Sequence, residues 1–339
     1  MAPLLDIRDL RVSFRTRDGV VHAVDGVSTS VDRGKTLGLV GESGSGKSVT
    51  ALSVIGLTRL PNADVSGQVL FDGADLLQES SDQLRSIRGP RIAMIFQDPL
   101  SSLHPLYRVG WQIEEAILAH EQVSRRAARA RTIDAMRAVE MPNPAELVDR
   151  YPHELSGGMR QRAMIAMALV LNPDVLIADE PTTALDVTVQ AQILELIRSL
   201  QHDFDTAVVL ITHDFGVIAE TADEVAVMYA GRIVEQGPIG MILDAPEHPY
   251  TWGLLQSIPR LDTPRRDRLE PIKGTPPSLV HPPSGCHFHP RCPYVMPMCR
   301  TMDPELLESD PDHFVACHLP VAEKRRIWQE LQPKPAEAA

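Results

Sequence analysis

The run Gly41-Glu42-Ser43-Gly44-Ser45-Gly46-Lys47-Ser48 fits the pattern G-x-x-x-x-G-K-[ST] at every fixed position. Such a loop turns backbone N–H groups inward and cradles the β- and γ-phosphates of a nucleotide. Glycine is required because the backbone must approach the phosphate closely, with dihedrals that a Cβ disfavours. The Lys47 ammonium would neutralise the β/γ oxygens, and the Ser48 hydroxyl would hold Mg²⁺. A helix starting near Lys47 would aim its N-terminal dipole at the anion. Gly41, Ser43, Gly44, Ser45, Gly46, Lys47, Ser48 and Val49 are therefore the expected nucleotide contacts. The loop does not say what the nucleotide is used for.

A second constellation supplies hydrolytic chemistry. Val175-Leu176-Ile177-Ala178-Asp179-Glu180 is an apolar strand ending in two acids. Beside the loop, Asp179 would bind Mg²⁺, directly or through water, and Glu180 would polarise the attacking water as general base. Upstream lies Leu155-Ser156-Gly157-Gly158-Met159-Arg160-Gln161-Arg162. Ser156 can cap a helix from Gly157 to Leu171, and its hydroxyl with the following N–H groups forms an anion site.

The flanking segments read as the elements that hold these groups. Lys35 to Val40 is a short buried strand and Thr50 to Leu57 continues as a helix, the strand–loop–helix context the motif needs. Residues 4–40 alternate β-rich stretches with turn signals at Arg17-Asp18-Gly19, Asp25-Gly26 and Asp32-Arg33-Gly34. Val65 to Asp72, Arg91 to Phe96 and Val208 to Thr212 read as further strands, with a hairpin around Ala230-Gly231. Leu103 to Tyr151 is helical in pattern. A helix from Val187 carries Val189, Ile193, Leu196, Ile197 and Leu200 on one face. After Pro238 the composition shifts to Pro, His, Cys and Met, and the last hundred residues read as a separate appendage.

Composition narrows the function classes. The chain has 339 residues, 43% apolar, and a net charge of −12, which argues against a general nucleic-acid binder. The basic cluster Arg125, Arg126, Arg129 and Arg131 is most simply a solvated helix face. The longest apolar run, Ala163 to Leu171, has nine residues, too few for a membrane span. The N-terminus lacks the basic and apolar regions of a signal peptide. A cytoplasmic protein is expected, reaching a membrane only through partners.

The octet around Ser156, just upstream of an Asp-Glu strand, resembles the signature of ATP-binding cassette ATPases. The resemblance implies that Ser156, Gly157, Gly158 and Gln161 act on the nucleotide of an opposing subunit. It also identifies Gln97, in Ile95-Phe96-Gln97-Asp98-Pro99, as the Q-loop residue that contacts Mg²⁺ and the lytic water. Asp186, in Ala184-Leu185-Asp186, is similar to the D-loop, His213 to the switch histidine that senses the γ-phosphate, and Phe14 to the aromatic that stacks adenine. Gly41–Leu57, Tyr151–Ala168 and Ile177–Leu196 resemble one ATPase subunit, the D-type, of the dipeptide/oligopeptide/nickel importers. His248-Pro249-Tyr250-Thr251 and Gly274-Thr275-Pro276-Pro277 are similar to the peptide importers of that group. The implied fold is α/β: a P-loop ABC ATPase core (1–102 and 155–237) with an antiparallel β subdomain, a helical subdomain (103–154), and a small Cys-containing C-terminal domain (238–339). The implied partners are an F-type ATPase subunit as heterodimer, two transmembrane permeases and an extracytoplasmic binding protein, with this chain peripheral on the cytoplasmic membrane face. A nickel or other small-solute importer, and a soluble non-transport cassette ATPase, are the alternatives.

All four cysteines, Cys286, Cys292, Cys299 and Cys317, fall in this C-terminal segment. In a reducing compartment disulfides are not expected, and four thiolates in a Pro-rich stretch with little apolar core point to a stabilising metal. Four Cys suit [4Fe–4S] or Zn²⁺. The spacing C-x5-C-x6-C-x17-C fits no standard zinc ribbon and favours iron–sulfur, and a [4Fe–4S] cluster here is known among the peptide-importer ATPases. Unliganded thiols remain open, and His287, His289 and His318 are near enough in sequence to serve.

Overall fold

The computed structural model of the chain describes residues 2–98, 102–182, 187–257 and 272–332. Its frame is an eight-stranded sheet in the order β11 (Leu307–Asp310), β12 (His313–Val315), β10 (Arg232–Pro238), β9 (Glu224–Tyr229), β3 (Thr36–Val40), β8 (Ala207–Thr212), β7 (Val175–Asp179) and β6 (Ile92–Ile95). The central strands β6, β7, β8, β3 and β9 run parallel. Strands covered on both faces read as unbroken apolar runs, and β7 shows why. Val175 and Ile177 enter one core while Leu176 and Ala178 enter the other. One core lies toward a four-stranded antiparallel sheet, β2-β1-β4-β5, built from β1 (Leu5–Thr16), β2 (Gly19–Val31), β4 (Ala63–Phe71) and β5 (Ala74–Asp75). The other core is capped by helices.

In chain order the helices are α1 (Lys47–Val54), α2 (Ser81–Ile87), α3 (Val109–Leu118), α4 (Arg125–Ala138), α5 (Pro144–Leu147), α6 (Gly157–Leu169) and α7 (Val187–Phe204). They continue as α8 (Phe215–Thr221), α9 (Ile239–Asp244), α10 (Pro249–Gln256) and α11 (Val321–Leu331). Helix α7 buries Ile193 and Ile197, with Val189 and Leu196 half-buried against the same core, as its spacing demands. The Leu200 side chain lies outside the described ones. No helix among the described residues is long and apolar enough to cross a membrane.

Three sequence expectations change in the structure. Asp25-Gly26 is a bulge inside β2 and not a turn. Leu10 faces Val27 and Arg11 faces Asp25, so Gly26, at φ 80°, is the extra residue. The arginines of α4 are not simply solvated: Arg129 bonds Glu114 and Asp149, and Arg131 bonds Glu121 and the Val170 carbonyl. These pairs tie the helical insert together and to α6. The last hundred residues are also not a detached appendage. Strand β12 (His313–Val315) pairs with β10 (Arg232–Pro238) and β11 (Leu307–Asp310) pairs with β12, so the segment extends the main sheet. Tyr250, Trp252 and Phe288 are buried in the same core as the helices. The expected hairpin at Ala230-Gly231 is present, with φ 45° and 85° at its two loop residues, the left-handed pair that a tight two-residue connection needs.

Asp174, before β7, receives Arg33 from the β2–β3 turn at 3.1 Å and Arg91 from the start of β6. Burial pushes its carboxyl up, but the two arginines outweigh burial and hold it below the usual 3.8. A carboxylate depressed in the native state adds stability that is complete above its unfolded value and disappears as pH falls through the native one. Asp174→Asn is expected to lower the unfolding free energy by about 1 kcal/mol at pH 7. The gap to wild type should close below pH 3.8, as read from denaturant midpoints across pH.

Candidate active site

The phosphate loop leaves β3 and enters α1, and two of its glycines leave no room for a side chain. A Cβ on Gly41 would collide with the Met228 carbonyl. One on Gly46, which sits at φ 106°, would collide with the Ala23 carbonyl. The hairpin between β9 and β10 clamps the loop from outside, the Gly231 N–H donating to the Ser45 carbonyl at 2.9 Å. Ser43 and Gly44 are exposed at the loop tip and Ser45 is buried. Val49 is half-buried against the core below α1.

Lys47 is only 5% exposed. Its Nζ donates to the Gly41 carbonyl at 2.8 Å, the Glu42 carbonyl at 3.0 Å and Ser45 Oγ at 3.4 Å. Burial lowers the ammonium from its usual 10.5, while Glu180, Asp179 and Glu42 pull it back up. Asp179, at the end of β7, is pushed up from 3.8 by burial and by Glu180, against a hydrogen bond from Ser48. Its Oδ1 is buried with no partner. An orphaned carboxylate oxygen beside a serine hydroxyl is the donor set a hard divalent cation carrying phosphate oxygens would satisfy.

Three strand ends converge on one carboxylate. Gln97 Nε2, after β6, donates to Glu180 Oε2 at 2.9 Å. His213 Nδ1, after β8, lies 3.3 Å from Glu180 Oε1. The Glu180 side chain is 13% exposed and that of His213 is 61% exposed. Sequence order put these residues in one list, and the sheet order β8-β7-β6 brings them together in space.

The remaining expected residues divide. Ser156 Oγ accepts the Met159 N–H at 3.3 Å and caps α6, leaving Ser156 and Gly157 exposed and Gly158 half-buried. Gln161 departs from its expected place: it is buried, and its amide donates to the Pro181 carbonyl. It holds α6 to the segment after β7 and is not presented to an opposing subunit. Phe14 is half-buried on β1, packed against the core of the antiparallel sheet. Asp186 lies outside the described residues.

The four cysteines line one small enclosed cavity with His248, Phe288, His289, Tyr294 and His318. Burial pushes the Cys292 thiol up to about 12 and Cys317 to about 11, and it raises Cys286 as well. Among the described residues, the only trio of His, Cys, Asp or Glu donors mutually within 4.8 Å is Glu247, Asp310 and His313. No three of the sulfurs are that close. His287 points away, with Nδ1 3.0 Å from the Ala230 carbonyl. Sequence reading missed two residues that touch the loop, Tyr250 and Arg291, both bonded to Glu42. No local pattern links positions so far apart.

The family described as ABC transporter matches residues 24–183, and the oligopeptide/dipeptide transporter C-terminal region matches residues 234–299. The oligopeptide transport ATP-binding protein OppD of Bacillus subtilis is 49% identical, over 92% of this chain and 87% of that one. The dipeptide transport ATP-binding protein DppD of the same organism is 51% identical, over 94% and 95%. A dimeric bacterial ABC transporter cassette of known structure superposes with a TM-score of 0.62 at 27% identity, over 69% of this chain and 98% of that one.

Gln161→Ala leaves the Pro181 carbonyl without its donor. The expected result is a stability loss of about 1–3 kcal/mol in denaturant unfolding. Nucleotide affinity at this chain's own loop should be unchanged.

Proposed function

This chain belongs to the ABC transporter ATP-binding proteins, in the branch with an oligopeptide/dipeptide transporter C-terminal region, and from that premise we propose how its residues drive the cycle. It is the ATP-hydrolysing subunit of a peptide importer. The observation that carries the mechanism is the meeting of Gln97, Glu180 and His213 at adjacent strand ends.

When ATP enters, Lys47 turns from the loop carbonyls to the β- and γ-phosphate oxygens, and the N–H groups of the loop take the rest of the charge. Ser48 and Asp179 would hold Mg²⁺, which when bound neutralises charge on the β/γ oxygens. Glu180 orients a water and takes its proton as the water oxygen attacks the γ-phosphorus, and the bond to the β-bridging oxygen breaks to release ADP. Gln97 fixes one carboxylate oxygen of Glu180, and His213 sits at the other, where the γ-phosphate would be sensed. Phe14 is the candidate adenine platform. Ser156 and Gly157, exposed at a helix N-terminus, and the half-buried Gly158 beside them fit the γ-phosphate of an opposing F-type subunit, with Asp186 as the D-loop contact.

Two permeases and an extracytoplasmic binding protein complete the complex on this reading, with this chain at the cytoplasmic membrane face. Residues 1–102 and 155–237 act as the ATPase core, 103–154 as the helical part that moves the permeases, and 238–339 as the metal-binding region. The four cysteines fit a [4Fe–4S] cluster better than zinc. Tetrahedral zinc at about 2.3 Å draws its sulfurs to about 3.8 Å from one another, whereas a cubane spreads them farther. That no three of the sulfurs lie mutually within 4.8 Å favours the larger group on this reading. Its role would be structural, tying together the turns that carry Cys286, Cys292, Cys299 and Cys317.

Glu180→Gln is expected to bind ATP as wild type does and to lose at least 100-fold in turnover. Retained hydrolysis would remove Glu180 as the base. In the reconstituted complex, di- or oligopeptides should stimulate hydrolysis through the binding protein, and stimulation by nickel alone would reassign the cargo. Cys299→Ser is expected to lose bound iron by metal analysis and the visible absorbance of the cluster, while zinc in the wild type would decide for the other metal.

A further inference from the structure

The second residue of the phosphate loop is held at both ends by the C-terminal segment. Arg291 Nη1 and Nη2 donate to the two Glu42 carboxylate oxygens at 2.5 Å and 3.0 Å. The Glu42 N–H donates to Tyr250 Oη at 2.8 Å. The Glu42 carbonyl in turn accepts Lys47 Nζ at 3.0 Å and the Ser45 N–H at 3.2 Å. One residue thus connects the C-terminal segment to the lysine that must meet the phosphates.

Arg291 is built to transmit position. Its side chain is only 4% exposed. Beyond Glu42 it donates to the Lys273 carbonyl through Nε at 3.1 Å and to the Ile272 carbonyl through Nη2 at 3.2 Å. Tyr229 Oη lies 3.4 Å from Nη1. A planar fork with this many fixed acceptors has one orientation, which an ammonium could not reproduce. Arg291 also precedes Cys292, and the backbone N–H groups of both donate to the Phe288 carbonyl, at 2.9 Å and 3.0 Å. Phe288 packs edge-on against Tyr229, 5.1 Å between ring centres. A shift of Cys292 therefore moves the Arg291 backbone within the same turn.

We propose that Arg291 is a positioning residue for ATP binding, which sets the phosphate loop through Glu42 and couples the loop to whatever holds the four cysteines. The second half rests on the metal reading above and the first half does not. Coupling of this kind is reciprocal: if occupation of the cysteines strengthens nucleotide binding, bound nucleotide strengthens what the cysteines hold by the same factor in the equilibrium constant.

The test uses the full chain in its complex. Glu42→Gln and Arg291→Met should each raise the KM and the Kd for ATP roughly tenfold, with kcat within about twofold. The double variant should be no worse than either single, because both remove one interaction. Arg291→Lys should recover only part of the loss. In a Glu180→Gln background, saturating ATP should slow chelator-driven release of iron, and Arg291→Met should abolish that protection. Unchanged KM and Kd in Glu42→Gln, or kcat and melting temperature falling together with KM unchanged, would overturn the positioning role. Nucleotide protection that survives Arg291→Met would overturn the coupling. If the protein as isolated holds no metal, the metal reading fails by itself. The coupling is then read by ATP slowing iodoacetamide alkylation of the cysteines.

Discussion

A buried ammonium inside a turn of backbone is the constraint around which the rest of this molecule is arranged. Lys47 cannot stay charged at 5% exposure without acceptors. Before phosphate arrives it takes the carbonyls of its own loop. Two acids at the end of β7, two strands away in the sheet, balance it at longer range. Holding acceptors, acids and lysine in register needs a loop that cannot drift. The close fit of Gly41 and Gly46 against strand carbonyls prevents drift from beneath, and the β9–β10 hairpin prevents it from outside. ATP then exchanges one set of oxygens for another, and little else at the lysine has to change.

The parallel sheet makes this arrangement economical. Side chains at the carboxyl ends of adjacent parallel strands lie side by side, so residues distant in sequence meet without long loops. Gln97, Glu180 and His213 follow β6, β7 and β8, which are neighbours in the sheet. That is why so much of the site was legible in the sequence. Each residue sits at the end of an apolar run, and unbroken apolar runs are the clearest local signal of a buried strand. The glycine loop and the helix cap at Ser156 are equally local, as each is set by dihedrals and hydrogen bonds within a few residues. Gln161 was misread for the complementary reason. Its position in the octet is local, but its buried bond to the Pro181 carbonyl depends on how α6 packs on the segment after β7.

The C-terminal segment was the least legible part, because polar pairs between distant residues hold it. Glu235 and His313 are fully buried, 2.9 Å apart, and Glu235 also accepts the backbone N–H groups of Glu247 and His248. Lys324 and Arg325 of α11 close on Glu247. No periodicity announces such pairs, and a composition rich in Pro, His and Cys reads as a loop-rich appendage. Yet a buried charge stripped of its partner is strongly destabilising, by about 3–5 kcal/mol, which makes this network specific about where β12 and α11 must lie. The segment is therefore docked on the sheet edge by charge and on the common core by Tyr250, Trp252 and Phe288. Docked in this way, it can present Arg291 to the phosphate loop in a single geometry.

Glu180 shows how the same fold accepts local strain for aim. It follows the last residue of β7 with φ 47°, in the left-handed region that non-glycine residues avoid at about 1–2 kcal/mol. A residue continuing the strand would alternate sides, and its carboxylate would turn away from Gln97 and His213. The left-handed turn directs the side chain across the strand ends instead. The Glu180 N–H keeps its bond to the Ile211 carbonyl at 2.9 Å, so the ladder to β8 survives the turn. Two further contacts fix the carboxylate, one from each adjacent strand end. Glycine would remove the strain and, with it, the base. The strain is carried by the one residue whose direction decides the chemistry, and the parallel sheet around it is stable enough to hold it there.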